Sequence, residues 1–122
     1  MKKHVIRAAL VAMLMAATPV HAEGTAKDFL ASIDGENEGT ATILGVMLDA
    51  YGMALLFASI DASTRGVPKT FCLPDALVIT TDQNIDILRR AIEVKPYIAE
   101  VHPALALLKA YEVTFPCSPA KQ

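Results

Sequence analysis

The chain has 122 residues, 53% of them apolar, and 11 Lys and Arg against 13 Asp and Glu give it a net charge of −2. Its few basic residues form no run, which argues against a nucleic-acid phosphate backbone as a partner. So short a chain has room for one core and is too small for two domains.

Residues 1–22 read as a cleavable secretory signal. Met1-Lys2-Lys3-His4 is a charged start, Val5 to Ala17 is an apolar stretch broken by Arg7, and Thr18-Pro19-Val20-His21-Ala22 supplies a small-residue end for a peptidase. The apolar stretch is shorter than the roughly 20 residues that span a bilayer, and Pro19 disfavours carrying a helix onward. No Cys stands at the cleavage point, so a lipid anchor is not expected. Cleavage removes Lys2, Lys3 and Arg7 and no acid, which moves the net charge from −2 to −5. The expected product is one acidic domain, residues 23–122, located in the periplasm.

Within that domain the first element expected is a short helix from Thr25 to Ile33. Thr25 is the N-cap, Asp28 stands in the capping-box position, and Phe29, Leu30 and Ile33 share one side. Gly35 stops it, and a polar turn from Asp34 to Gly39 follows.

The longest apolar segment, Thr40 to Ile60, predicts a central helix. One row on it is Leu44, Met47, Leu48, Tyr51, Leu55 and Ala58; a second is Ile43, Val46, Ala50, Met53, Phe57 and Ile60. A helix apolar nearly all round needs covering on most sides, by its own domain or by another subunit. Ile43 to Ile60 invites a transmembrane reading, but Asp49 in its middle would cost about 3 kcal/mol on an insertion scale, and Gly45 and Gly52 weaken the helix further. No integral membrane association is expected. Gly45 and Gly52 lie on one face with Asp49 between them. The structural reading is close approach by another backbone, with Asp49 reaching water or a local donor; a partner-binding role for Asp49 is the alternative.

Asp61 to Lys69 is rich in turn formers and reads as a loop. In Phe71-Cys72-Leu73-Pro74, the proline holds Leu73 in extended conformations. Thr80 or Thr81 then caps a helix to Lys95, with Asp82 in its first turn, Ile85, Leu88 and Ile92 on one face, and Pro96 ending it. Asp86 to Arg90 and Arg89 to Glu93 are candidate i,i+4 pairs on its solvated side. His102-Pro103 starts a last helix to about Thr114, with Leu105, Leu108, Ala110, Tyr111 and Phe115 as its apolar positions. The fold class is all-α, a small bundle of four to five helices closed by one disulfide.

That disulfide joins Cys72 and Cys117, the two cysteines of the chain. An exported protein meets an oxidising compartment, and two cysteines allow one intramolecular connectivity. The alternatives are two free buried thiols or an intermolecular bridge. Closing the loop is worth about 4 kcal/mol in the chain-entropy model, a large share for so small a domain.

The inventory gives enzymatic chemistry little to stand on. There is no glycine-rich phosphate loop, no G-x-S-x-G, no H-E-x-x-H and no paired metal-ligand spacing. Residues 23–122 hold one histidine, His102, better placed to start a helix than to act as a base, and Asp82 with Asp86 complement a helix dipole. No catalytic residue, metal or cofactor is expected.

The Phe71-Cys72-Leu73-Pro74 segment, the capped helix through Ile85 to Ile92, and the Pro103 helix finishing in Phe115-Pro116-Cys117 resemble the Rap/Tai family of type VI secretion immunity proteins. Cys72 and Pro74 match its Cys-x-Pro element, Gly45 to Gly52 resembles its central glycine-containing helix, and Cys117 matches its terminal Phe-Pro-Cys, so the resemblance covers about residues 39–117. Glu36, Asn37, Glu38 and the 61–70 loop match no family feature. The resemblance implies a periplasmic, usually dimeric protein that plugs the catalytic cleft of a peptidoglycan amidase effector and so protects kin cells. A general periplasmic binding or stress module is the second reading, and a membrane-associated subunit the third. The candidate effector-binding residues are Ser63, Thr64, Arg65 and Lys69 in the loop beside Cys72, and Tyr97, Glu100 and His102 before the last helix.

Overall fold

The computed structural model describes residues 24–35, 37–75 and 77–119; the expected signal, 1–22, lies outside them. The described residues form four α-helices, α1 (Ala26–Gly35), α2 (Glu38–Thr64), α3 (Thr81–Val94) and α4 (Pro103–Thr114), with a 3₁₀ turn at Pro96–Glu100 between the last two. The small all-α bundle read from the sequence is the observed architecture.

Local capping chemistry sets most of the helix limits. Thr25 and Asp28 cap α1 reciprocally: the Asp28 amide donates to Thr25 Oγ1 at 3.3 Å, and the Thr25 hydroxyl donates to Asp28 Oδ2 at 2.9 Å. These bonds hold the Asp28 carboxyl below its ordinary pKa, the Thr25 side chain contributing most. Thr80 and Gln83 form the equivalent box on α3, with the Thr80 amide donating to Gln83 Oε1 at 2.8 Å. His102 caps α4 through Nδ1, which accepts from the Ala104 amide at 3.2 Å, and Pro103 follows at the first helical position.

α2 overruns its expected limits at both ends. Asn37 caps it by accepting from the Thr40 amide at 3.0 Å, so it begins at Glu38 and the 34–39 turn shrinks accordingly. At the other end Asp61 to Thr64 are helical, not loop. The helix closes only at Gly66, whose φ of +69° is the left-handed conformation; the Gly66 amide donates to Ser63 O at 3.2 Å and the Val67 amide to Ala62 O at 2.8 Å. This is a Schellman closure, in which glycine carries the backbone turn that other residues adopt at a cost. Ser63 and Thr64 therefore sit on the last turn of α2.

The core lies between α3, α4 and one side of α2. Leu48, Leu88, Ile98, Leu107 and Tyr111 are its largest fully enclosed side chains, with Phe29, Leu30 and Phe71 closing it from α1 and the extended segment. Burying each large aliphatic contributes about 1.5–3 kcal/mol. Of the expected α4 positions, Ala110 and Tyr111 are enclosed and Leu108 and Phe115 pack against the core, but Leu105 is 45% exposed and Ala106 and Leu107 are enclosed in its place, because α4 is buried along Pro103, Ala106, Leu107, Ala110 and Tyr111. Phe71 and Phe115 meet the Tyr111 ring edge-on at 5.3 and 6.0 Å. Cys72 and Cys117 are bonded, with 4.9 Å between their Cα atoms, and the Cys72 amide donates to Phe115 O at 2.8 Å. The chain end and the middle thus share one anchor.

Neither expected i,i+4 pair on α3 occurs among the ion pairs of the described residues. Arg89 reaches Asp34 at the end of α1 instead, at 2.5 Å. A partner on a neighbouring helix wins because α1 brings a carboxylate to the solvated side of α3, and sequence spacing does not register that.

Candidate functional site

α2 presents two unlike faces. Gly45, Leu48 and Gly52 are its fully buried residues; at 100° per residue, Ile43, Val46, Ala50, Met53 and Phe57 fall within an arc of about 80° on the other side. Of these, Val46 is 64% and Phe57 61% exposed, Ile43 and Met53 are exposed to a comparable degree, and Ile60, just beyond the arc, is exposed as well. The result is an apolar strip about 25 Å long that the described residues leave uncovered. Of the first expected row, Leu48 is buried and Leu44, Tyr51 and Leu55 half-buried, but Met47 and Ala58 are exposed. The covered side is the glycine side.

What covers it is polar as well as apolar. Asp49 Oδ1 accepts from Asn84 Nδ2 at 3.0 Å, Asp49 Oδ2 accepts from the Thr81 hydroxyl, and the Tyr111 hydroxyl donates to Asn84 Oδ1 at 2.6 Å. Three helices are tied through one chain of hydrogen bonds. The two glycines make room for it: a β-carbon on Gly45 would stand 2.9 Å from Thr81 Cγ2, and one on Gly52 2.7 Å from Tyr111 Oη. Burial, and then the charge of Asp49, push the Tyr111 phenol up to about 12.

Along this network runs a cleft of about 300 Å³ that Asp49, Asn84 and Tyr111 line together with Met53, Leu56, Leu73 and Val78. A second cleft, of about 350 Å³, lies on the other side of α3 between Leu77, Ile87, Arg90 and Phe115.

The residues singled out for effector binding fall in two places. Arg65 is exposed at the C-terminus of α2 and paired with Asp61 at 2.7 Å, and Lys69 is half-buried shortly after it. Tyr97 and Glu100 are exposed on the 3₁₀ turn. His102 lies beside the middle of α2, its ring edge-on to Tyr51 at 6.0 Å. Tyr51 and Ser63 are twelve residues apart on one helix, about 18 Å, so His102 and the Ser63–Arg65 end are not one site. The donors to Asp49, Thr81 and Asn84, and Tyr111 behind Asn84 are not linked to it by any sequence motif. The one available signal was an acid between two glycines on a helix face, which requires neighbours small enough and polar enough to meet it.

α2 is long and apolar enough to cross a membrane by length and composition. Among the described residues, no group of three or more His, Cys, Asp and Glu could hold a metal ion. No family model matches the chain, and no curated protein and no solved structure matches it either.

Proposed function

We propose that this chain is an exported immunity protein of the Rap/Tai kind, which binds a type VI secretion peptidoglycan amidase in the periplasm and occludes its catalytic cleft without chemistry of its own. The observation that supports the reading is the uncovered apolar strip of α2 on a small bundle closed by a disulfide, which fits the dimeric form that the Rap/Tai resemblance implies. A strip of that size marks a protein-binding surface, and a cross-linked bundle loses little entropy on docking. A second copy of the chain covers the strip. Its five large side chains each offer on the order of 100 Å², about 500 Å² together, which is the apolar centre of an interface of about 800 Å² per partner. The effector is met by surfaces outside the strip, at Arg65 and Lys69 or at Tyr97, Glu100 and His102.

The test is inhibition. The genes on either side are searched for a secreted amidase, whose absence counts against the reading; purified protein is then mixed with that amidase, and peptidoglycan cleavage is followed. Stoichiometric loss of cleavage, together with protection of cells exporting the chain, is the expected outcome. Undiminished cleavage and no complex on size exclusion overturn the reading in favour of a general periplasmic binding module. The length and apolar character of α2 favour a membrane-associated reading, which predicts that alkaline carbonate leaves the protein in the membrane fraction; the immunity reading predicts its release.

A further inference from the structure

Asp49 has more acceptor capacity than its helix neighbours use. A carboxylate offers about four lone-pair positions; one hydrogen bond comes from Thr81 and one from Asn84, and no Lys or Arg nitrogen lies within 4 Å of it among the described residues. The group is half-buried and lines the cleft of about 300 Å³, whose walls include Met53, Leu56, Leu73 and Val78. The donors Thr81 and Asn84 fix the carboxylate in place, and Tyr111 fixes Asn84 in turn, so the negative charge is already oriented before anything binds. An apolar group alone filling this cleft would strip water from Asp49 and return nothing. A ligand with a methylene stem and a cationic head would cover the apolar walls with the one and meet the carboxylate with the other.

We propose that this cleft is a binding site for a long basic side chain, arginine or lysine, presented by a protein partner. Charge favours that occupant, since residues 23–122 carry a net charge of −5 and the cleft's own ionisable anion is Asp49. The flexible Met53 at its edge adapts to the stem. Such a side chain, enclosed and charge-paired, is the kind of anchor that dominates protein interfaces. The source of the side chain rests on the protein-partner reading above; the site itself does not.

The experiment titrates a capped Gly-Arg-Gly tripeptide into isotopically labelled protein, with n-butanol and n-butyrate as neutral and anionic controls. Amide and methyl shifts at Met53, Leu73 and Val78 are followed by NMR. Saturable shifts with the arginine peptide, absent with both controls, are expected. Asp49→Asn weakens the binding by about tenfold or more, as the loss of a charge-assisted hydrogen bond requires. Met53→Trp, at an exposed position that leaves the Asp49 hydrogen bonds intact, blocks the cleft and abolishes the shifts. No saturable shift, shifts of equal size with butanol, or binding that survives Met53→Trp overturns the proposal. No amidase is present in this titration, so its failure and the failure of the immunity reading are separate results.

Discussion

The hydroxyl of Tyr111 lies 2.7 Å from the point that a β-carbon on Gly52 would occupy. The same hydroxyl donates to Asn84 Oδ1 at 2.6 Å, so it cannot retreat without breaking the chain of hydrogen bonds that ends at Asp49. Gly52→Ala therefore sets a helix-propensity gain of up to about 1 kcal/mol against overpacking worth about 1–3 kcal/mol and a strained buried hydrogen bond. The clash wins. Urea titration is expected to show net destabilisation of about 1–2 kcal/mol, whereas Gly35→Ala, where nothing stands within 4 Å, stays near wild type. An unchanged midpoint for Gly52→Ala would show that Tyr111 moves freely.

Stability at high pH follows from the same residue. The Tyr111 phenol is raised from an ordinary 10.0 to about 12 in the folded state, so the folded chain holds its proton where the unfolded chain has released it. The contribution is fully present below pH 10 and is lost as pH rises towards 12. Thermal melts between pH 9 and 12 are expected to fall more steeply for the wild type than for Tyr111→Phe. At neutral pH that variant is itself destabilised by about 1–3 kcal/mol, because Asn84 Oδ1 is left without its buried donor.

Joint replacement of Cys72 and Cys117 by alanine should cost about 4 kcal/mol by the chain-entropy estimate. It should also release the Phe71 and Phe115 rings, which pack on Tyr111 from either side of the bridge. A denaturant midpoint within error of the wild type, or two thiols titrating in the native protein, would contradict the pairing.

Val46→Asp and Phe57→Asp fall on exposed positions of α2, where substitutions change monomer stability by about 0.5 kcal/mol or less. Self-association should respond far more. Light scattering is expected to show a dimer for the wild type and a monomer for either variant, with the far-ultraviolet dichroism of the two indistinguishable. A wild type that remains monomeric at high concentration would leave the strip without a second copy.

Sequence alone determined the features written in local code. Caps and stops declare themselves within four residues, which is why Thr25 with Asp28, Pro96 and His102-Pro103 could be placed from their neighbours, and the α3 cap narrowed to Thr80 or Thr81. The pairing of Cys72 with Cys117 follows from there being two cysteines and from the oxidising compartment that an export signal implies. The Schellman glycine at position 66 is equally local, but Asp61 to Thr64 look like turn formers, although a helix already nucleated propagates through them at little cost. Tertiary structure alone decided the rest. Whether Arg89 meets Glu93 or Asp34, whether Leu105 or Leu107 faces inward, and what stands opposite Asp49 are set by where other helices pass, and hydrophobic periodicity does not encode the identity of a neighbour across the core. An apolar helix surface reads the same whether its own domain covers it or not; only the packed bundle separates the glycine side of α2 from the strip it leaves bare.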